Sequence, residues 1–161
     1  MSKYVFTRIG YNCFNEQLKR VQEHLARATK EKGEAGAGQD AWHDEGHKIS
    51  LVEEMMWSQR LGCLQEILSD CKIIDPQEQN ETISIGNGVV IEYTDGTIKR
   101  FYIEGYVAEP SLNIVSLSSP LGRLLIGARV GDSRTFILGN IRKVFLVKEI
   151  ILPSEAICLL E

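Results

Sequence analysis

The residues best suited to chemistry lie in one short stretch, from Gly33 to His47. It reads GEAGAGQDAWHDEGH and holds three carboxylates, Asp40, Asp44 and Glu45. Carboxylate oxygens are ligands that Mg²⁺ prefers in proteins, and an ionised carboxylate accepts a proton from water. The stretch therefore has residue types that can bind a metal ion or accept a proton.

Two other interpretations of this stretch stay open. Acidic residues are favoured at a helix N-terminus, so the cluster is also typical of a solvated loop. His43 and His47 have the i, i+4 spacing with which two histidines bind one metal ion. However, the sequence between them is not HExxH, and Gly46 weakens a helix there. We therefore expect two loop histidines rather than a zinc enzyme.

A helix is predicted upstream of the acidic stretch. Apolar residues recur there at alternating spacings of four and three, which is typical of a helix that packs along one partner. These residues, the α1 seam, are Phe14, Leu18, Val21, Leu25 and Ala28. Thr7 or Asn12 is the predicted N-cap, and Gly33 is the predicted end of the helix.

A second helix is predicted to begin near Asp44 or Ser50. The same spacing recurs in Trp57, Leu61, Leu64, Leu68 and Cys71. A further apolar stripe, Ile49, Val52 and Met56, is out of step with Trp57 by one residue, which we interpret as a stutter in the packing. Pro76 ends the segment, because proline and the residue before it resist a helix.

Residues 1–76 are thus predicted to form an antiparallel two-helix coiled coil. At about 1.5 Å per residue, such an arm would be about 40 Å long. A spacer or dimerisation coiled coil would have the same periodicity, so that alternative stays open.

Residues 77–161 are predicted to form a β-rich domain. The predicted strands are Val89–Tyr93, Thr97–Ile103, Ile114–Leu117, Arg134–Leu138 and Arg142–Ile151. Asp95-Gly96 and Gly139-Asn140 favour hairpin turns. A short helix is predicted from Pro120 to Gly127, capped by Ser118 or Ser119. One short helix on an antiparallel sheet is an α+β domain.

Composition limits the class of protein. The chain has 161 residues, of which 43% are hydrophobic and 25% charged, as in soluble globular proteins. Its net charge of -4 gives no reason to expect duplex nucleic acid as a partner. No apolar run has the length of a secretory h-region or of a membrane span. The four cysteines form no CxxC pair, so we expect reduced thiols in a cytoplasmic protein, with the first three on helices. They are Cys13, Cys63, Cys71 and Cys158.

The run from Val115 to Asp132 resembles the signature of the Gre transcript-cleavage factors of bacterial RNA polymerase. In that family the core reads S-x-x-S-P-x-x-x-x-L-I-G-x-x-x-G-D. The run from Thr7 to Leu18 is similar to the family's N-terminal pattern, T-x-x-G-x-x-x-L-x-x-x-L, with Phe14 at the first Leu position. Leu64–Asp75 is similar to the end of its second helix.

The resemblance implies an FKBP-like fold for residues 77–161, which would dock on core RNA polymerase. It also implies that residues 1–76 enter the polymerase's secondary channel, where the tip meets the 3′ end of the nascent RNA. The signature residues that the resemblance assigns to partner binding are Ser118, Ser119, Pro120, Gly127, Gly131 and Asp132. A prolyl isomerase is not expected from this type of domain.

In the family, the tip carries an Asp and, three residues later, a Glu. Counting back without gaps from Asp75 puts Asp40 on the family's Asp and His43 on its Glu. The resemblance therefore implies an accessory factor that is not itself an enzyme and has no cofactor of its own. It would lend Asp40, with Asp44 or Glu45, to the Mg²⁺ site of the polymerase, with Asp40 and Asp44 as the metal ligands, and so stimulate cleavage of backtracked RNA.

Two alternatives to cleavage stimulation remain. Since His43 replaces the family's Glu, a channel binder that modulates or inhibits transcription without cleavage is one of them. A coiled-coil scaffold protein is the other. In each case we expect a monomer without a membrane segment.

Overall fold

The computed structural model describes residues 2–35, 45–79 and 81–160. It has a helical hairpin followed by an antiparallel sheet with a short helix, which confirms the predicted α+β class. The elements in chain order are β1 (Tyr4–Phe6), α1 (Arg8–Ala35), α2 (Glu45–Ser69), β2 (Cys71–Ile73), β3 (Gly88–Tyr93), β4 (Ile98–Tyr102), α3 (Pro120–Leu125), β5 (Ser133–Leu138), β6 (Ile141–Ile151) and α4 (Pro153–Leu160). None of the described helices is long and apolar enough to cross a membrane.

The chain divides into two compact units. The arm is Phe14–Asp70, and the sheet unit combines Met1–Cys13 with Cys71–Glu161. The sheet unit is therefore discontinuous in sequence, because β1 precedes the arm and the other strands follow it.

Helix α1 begins where the sequence predicted. The amide N–H of Gly10 donates to Thr7 Oγ1 at 3.1 Å, so Thr7 satisfies one of the free amides at the helix N-terminus. The predicted end at Gly33 is wrong, because α1 continues to Ala35. A glycine inside a helix costs only about 1 kcal/mol relative to alanine, which a long helix tolerates.

The predicted seam is confirmed along most of the arm. Phe14, Val21 and Ala28 of α1 are buried, as is Leu64 of α2. The remaining α1 seam residues and Trp57, Leu61 and Leu68 of α2 are half-buried. Across the seam, the rings of His24 and Trp57 stack with centroids 4.4 Å apart and an interplanar angle of 7°.

The predicted stutter in α2 is wrong. The half-buried positions continue with the same spacing to Glu54 and Ser50, whereas Ile49, Val52 and Met56 are 59%, 52% and 62% exposed. Polar residues can occupy the seam here because Thr29 Oγ1 donates to Glu54 Oε1 at 3.3 Å. Consequently the apolar stripe lies outside the helix pair.

The sheet unit contains a four-stranded antiparallel sheet in the order β4-β3-β6-β5. Strands β3 to β6 confirm four of the five predicted strands. The β3–β4 hairpin has a three-residue loop rather than a two-residue one, because Tyr93 N donates to Thr97 O at 2.9 Å. Gly96 has a φ of 81°, which fits the left-handed position that such a loop requires.

One face of the sheet carries the core, which also includes residues of α3 and of the loops beside it. The buried residues of this cluster are Ile83, Val89, Ile91, Ile103, Leu125, Ala128, Phe145, Val147 and Ile150.

Other sequence predictions for the sheet unit need correction. The predicted strand Ile114–Leu117 is wrong. It forms isolated bridges at Ile114, and its later amides bond to Tyr102 and Gly105 instead of to one neighbouring strand. Cys71 lies in β2 rather than on a helix. Strands β1 and β2 and helix α4 were not predicted.

Strand β1 is held by contacts far away in sequence. It pairs in parallel with β2 in the register Tyr4↔Cys71 and Phe6↔Ile73. Phe6 is fully buried, and Tyr106 N donates to Val5 O at 3.2 Å. Backbone groups on both edges of β1 are therefore hydrogen-bonded, and the start of α1, which follows β1 directly, is fixed to the sheet unit.

Glu104 lies beside the N-terminus of α1. Thr7 N donates to the backbone oxygen of Glu104 at 3.1 Å, and Thr7 Oγ1 also donates to Glu104 Oε2. Burial raises the pKa of the Glu104 carboxyl, and the hydrogen bond from Thr7 partly opposes this. A Cβ at Gly10 would lie 1.9 Å from the Glu104 backbone oxygen, so no side chain fits at that position.

Candidate functional site

The predicted tip acids fall mainly outside the described residues. Asp40 and Asp44 lie in the range 36–44, as does His43, and the structure does not describe this range. Glu45 is the first residue of α2, although its side chain is not described. A carboxylate at a helix N-terminus is favoured by the helix dipole. The role of the three acids therefore stays a prediction based on residue type and sequence position.

The metal-ligating capacity of the described residues is limited. Among them, no group of three or more His, Cys, Asp or Glu side chains is placed to hold a metal ion. His43 is outside the described residues, and the side chain of His47 is not described.

The signature run begins with a serine cluster that caps α3. Ser119 Oγ accepts from Gly122 N at 3.0 Å and donates to Ser116 O at 2.8 Å. The hydroxyls of Ser116 and Ser118 lie 2.9 Å apart. Pro120 occupies the first turn of the helix, as predicted. Ser118 and Pro120 are exposed, whereas Ser119 is half-buried and Ser116 is buried.

Gly122 allows the helix to approach the preceding loop. A Cβ at this position would lie 2.1 Å from the backbone oxygen of Ser116. Because that neighbour is backbone rather than a flexible side chain, the loop cannot yield without moving Ser116. The close contact explains why a glycine lies inside a six-residue helix.

The second half of the signature is tied to the sheet unit by backbone hydrogen bonds. Gly127 N donates to Ile83 O, and Ile83 N donates to Ala128 O, both at 2.8 Å. Gly131 N donates to Val147 O at 2.8 Å, and Val147 N donates to Asp132 O at 2.9 Å. This part of the signature therefore has a role in the fold itself.

Asp132 closes the loop at the end of the signature. Its Oδ2 accepts from the backbone N–H of Arg129 at 3.0 Å and from Arg134 Nη2 at 3.1 Å. The bond from the Arg129 amide, and then the contacts with Arg134, lower the pKa of Asp132. The carboxylate is thus ionised and fixed, and the loop presents Val130, which is 55% exposed.

Next to the signature lies an open apolar groove of about 710 Å³ within the sheet unit. It is called the signature groove, because Leu117, Ile126 and Gly127 of the signature run are among its lining residues. Val5 and Tyr106 contribute to the lining from other parts of the chain. Ile126 is 37% exposed, so a partner can reach it. An apolar groove with a polar edge is typical of a protein-binding site.

The structure joins residues that the sequence analysis did not connect. Signature residues were predicted as partner-binding from resemblance alone, but Val5, Ile74, Ile85 and Tyr106 were missed. The short runs Tyr4-Val5-Phe6 and Lys72-Ile73-Ile74 were the available signal, since β-branched and aromatic residues favour strands. Tyr4 and Tyr106 then meet edge to face, with ring centroids 5.2 Å apart.

Comparison with known proteins gives consistent relatives. Residues 78–151 match the family described as "Transcription elongation factor, GreA/GreB, C-term". The chain is 31% identical over 132 residues to the "Transcription inhibitor protein Gfh1" of Thermus thermophilus, which covers 78% of this chain and 83% of that protein. It is 33% identical over 141 residues to the transcription elongation factor GreA of Paracoccus denitrificans, covering 83% and 87%.

Solved structures of similar proteins were also found. The crystal structure of GreA factor homolog 1 (Gfh1) of Thermus thermophilus is 28% identical, with a TM-score of 0.46, and the match covers 91% of this chain and 97% of that one.

Proposed function

Since the chain belongs to the Gre family of transcription factors, we propose that it binds core RNA polymerase and stimulates cleavage of backtracked RNA. In this proposal the sheet unit docks through the signature groove, and the arm carries Asp40, with Asp44 or Glu45, into the secondary channel. The observation that carries the proposal is the signature groove, an accessible apolar surface that Leu117, Ile126 and Gly127 of the signature run help to line. Of the six signature residues predicted to bind a partner, Gly127 alone is among the described lining residues. The factor would act wherever the polymerase is, in the cytoplasm.

Docking through the signature groove is supported by its chemistry. The lining combines aliphatic side chains with the ring of Tyr106, which is a residue type enriched in protein interfaces. The hydrogen bonds of Ser119 and Asp132 fix the loops beside it. A preformed surface loses little conformational entropy on binding, so more of the contact energy appears as affinity.

The arm supports the second step through its packed seam. Apolar residues alternate at four and three from Phe14 to Ala28 in α1 and from Trp57 to Leu68 in α2, and their packing stiffens that part of the helix pair. Stiffness matters because a group that assists catalysis has to be held close to its productive geometry.

The proposed chemistry of the tip rests on residue type. Three carboxylates within residues 40–45 fit the oxygen ligands that Mg²⁺ takes, usually one or two carboxylates together with water. A bound Mg²⁺ would supply Lewis acidity at the polymerase's own active site. The chain's contribution would be to provide oxygen ligands and to orient or deprotonate a water molecule.

A second candidate function is inhibition of transcription from the same site. The observation that favours it is His43, which occupies the position of the second family acid. The Thermus relatives are named as transcription inhibitor proteins. A tip with one family acid and a histidine would occupy the channel with a weaker set of metal ligands.

One experiment tests both candidates. Backtracked elongation complexes are incubated with the wild-type protein, with Asp40→Asn and with His43→Glu, and RNA cleavage and extension are measured. Cleavage by the wild type that is lost in Asp40→Asn supports stimulation. Slowed extension without cleavage, together with cleavage gained in His43→Glu, supports inhibition. If none of the proteins changes either rate, the proposed function is wrong.

The docking step has its own test. Ile126→Asp places a charge in the signature groove, and we expect the affinity for core polymerase to fall at least tenfold. Ile98→Asp is a matched control, since Ile98 is 63% exposed in the same unit and does not line the groove. Equal affinities of the two variants would contradict docking through the groove.

A further inference from the structure

The first half of α2 exposes an unusual amount of apolar surface. Leu51, Val52, Met55 and Met56 are 40%, 52%, 66% and 62% exposed, and Ile49 is 59% exposed. These five residues, called the arm patch below, occupy two turns of one helix. Single exposed apolar residues are common, but five in a cluster are typical of an interaction surface.

The arm patch borders a groove between the two helices. This groove has a volume of about 750 Å³, and its lining includes Leu25 and Thr29 of α1 with Leu51, Val52 and Met55 of α2. It exists because the seam is polar here. Glu54 occupies a seam position and bonds to Thr29, so no large apolar side chain fills the space between the helices.

The charge of this groove indicates the kind of partner. Glu54 is the one charged residue among the described lining residues, and the lining includes neither Lys nor Arg. A nucleic acid backbone is held mainly by cationic side chains. The groove therefore suits an apolar protein segment and does not suit RNA.

The size of the arm patch indicates how the partner is held. The patch is one cluster of five side chains, and even the largest apolar patches on monomeric proteins cover only about 300–600 Å². A stable complex buries about 800 Å² on each partner. A second copy of the chain would therefore bind weakly through this surface. If the partner is already bound at another site on this chain, the contact with the arm patch is intramolecular. The effective concentration is then high, so even a small contact adds to the affinity.

We propose that the arm patch and its groove bind an apolar segment of RNA polymerase, as a second contact that becomes effective once the sheet unit has docked. This inference rests on the proposed function, which supplies the first contact. It assigns to the arm a binding surface on protein, separate from the acidic tip. The arm patch then determines how long the tip stays in the secondary channel, and the tip residues determine whether RNA cleavage is stimulated or transcription is inhibited.

The test compares two charge substitutions on α2. Met55→Glu introduces a carboxylate into the arm patch, and Gln65→Glu introduces one at an exposed position of the same helix beyond the patch. Glutamate is a good helix former and both sites are exposed, so both variants should fold. Circular dichroism verifies this. Affinity for core polymerase is then measured by competition with labelled wild-type protein.

We expect Met55→Glu to weaken binding about tenfold, mainly through faster dissociation, and Gln65→Glu to remain within twofold of the wild type. Leu51→Glu should repeat the effect of Met55→Glu. If the wild type binds polymerase and Met55→Glu binds equally well, the inference is wrong while the proposed function stands. If the wild type does not bind, the proposed function itself is wrong. Sedimentation that shows a dimer abolished by Met55→Glu would overturn the inference in favour of a second copy.

Discussion

The hydroxyl of Thr7 makes two hydrogen bonds, and its removal should cost much more than its size suggests. Thr7 is 3% exposed and Glu104 is 2% exposed. In Thr7→Val the shape is kept, but Gly10 N loses its cap and Glu104 loses its hydroxyl donor. Loss of an N-cap costs about 1 kcal/mol. A buried polar group left without its partner costs about 1–3 kcal/mol. The free energy of unfolding should therefore fall by about 2–4 kcal/mol.

The assay is urea unfolding followed by far-ultraviolet circular dichroism, with amide hydrogen exchange of Ile91 and Phe145 as a probe of the sheet unit. Thr7→Ser is the matched control. It keeps both hydrogen bonds and loses one methyl group, which is worth about 1 kcal/mol. A loss in Thr7→Val no larger than that in Thr7→Ser would refute the reasoning.

The same site predicts a dependence on pH. Burial raises the pKa of Glu104 above its ordinary value of 4.5, so the folded protein keeps this proton to a higher pH than the unfolded chain does. The stabilisation is complete below 4.5 and is lost as the pH rises through the folded-state pKa. In Glu104→Gln the pH-dependent part of the stability that comes from Glu104 should vanish, and the free energy of unfolding at neutral pH should be higher than in the wild type. An unchanged pH profile in Glu104→Gln would contradict this assignment.

Three further predictions concern the packing. Leu25→Asp places a charge in the seam, and the arm should lose about 2–5 kcal/mol of stability with a reduced helical signal, whereas an unchanged melting profile would mean that Leu25 is not packed. Gly122→Ala forces a Cβ against Ser116 O and should lower the free energy of unfolding by about 1–3 kcal/mol or more. Gly62→Ala is the control: its Cβ meets nothing within 4 Å, so it should stabilise α2 by about 0.5–1 kcal/mol. Equal changes in stability for the two variants would argue against the close approach at Gly122. A fragment of residues 77–161 lacks the partners of Glu104 and should be less stable than a sheet unit that retains residues 2–13 and 71–76, as measured by urea unfolding.

The long helices were predictable from the sequence, because apolar residues that repeat at helical spacing over several turns predict both a helix and its buried face. The α1 seam repeats over four turns, and each of its members is buried or half-buried. The exposure of Ile49 and Met56 was not predictable in the same way. Periodicity identifies apolar stripes, but it does not determine which of two competing stripes faces the partner helix. Here polar residues occupy the seam, because the Thr29 hydroxyl donates a hydrogen bond to the Glu54 carboxylate across it.

Short elements held by distant contacts were missed. Strands β1 and β2 have three residues each, which is too short for an alternating pattern. Their pairing depends on bonds to Gly105 and Tyr106, which no local pattern indicates. The signature itself was recognised from its resemblance to the Gre family pattern. Its groove was not predictable, because nine of the thirteen described lining residues come from β1 and from the segment between β2 and β3.

The discontinuous sheet unit has a consequence for synthesis on the ribosome. Thr7 and Glu104 are 97 positions apart, and chains grow at about 5–20 residues per second, so β1 waits on the order of 5–20 seconds for this partner. The two helices of the arm follow each other directly and depend on nearer contacts, which form faster. Phe6, fully buried in the finished protein, is therefore exposed on the nascent chain while the arm folds. The slowest and most aggregation-prone interval of biogenesis should end when Gly105 and the strands beyond it emerge and enclose β1.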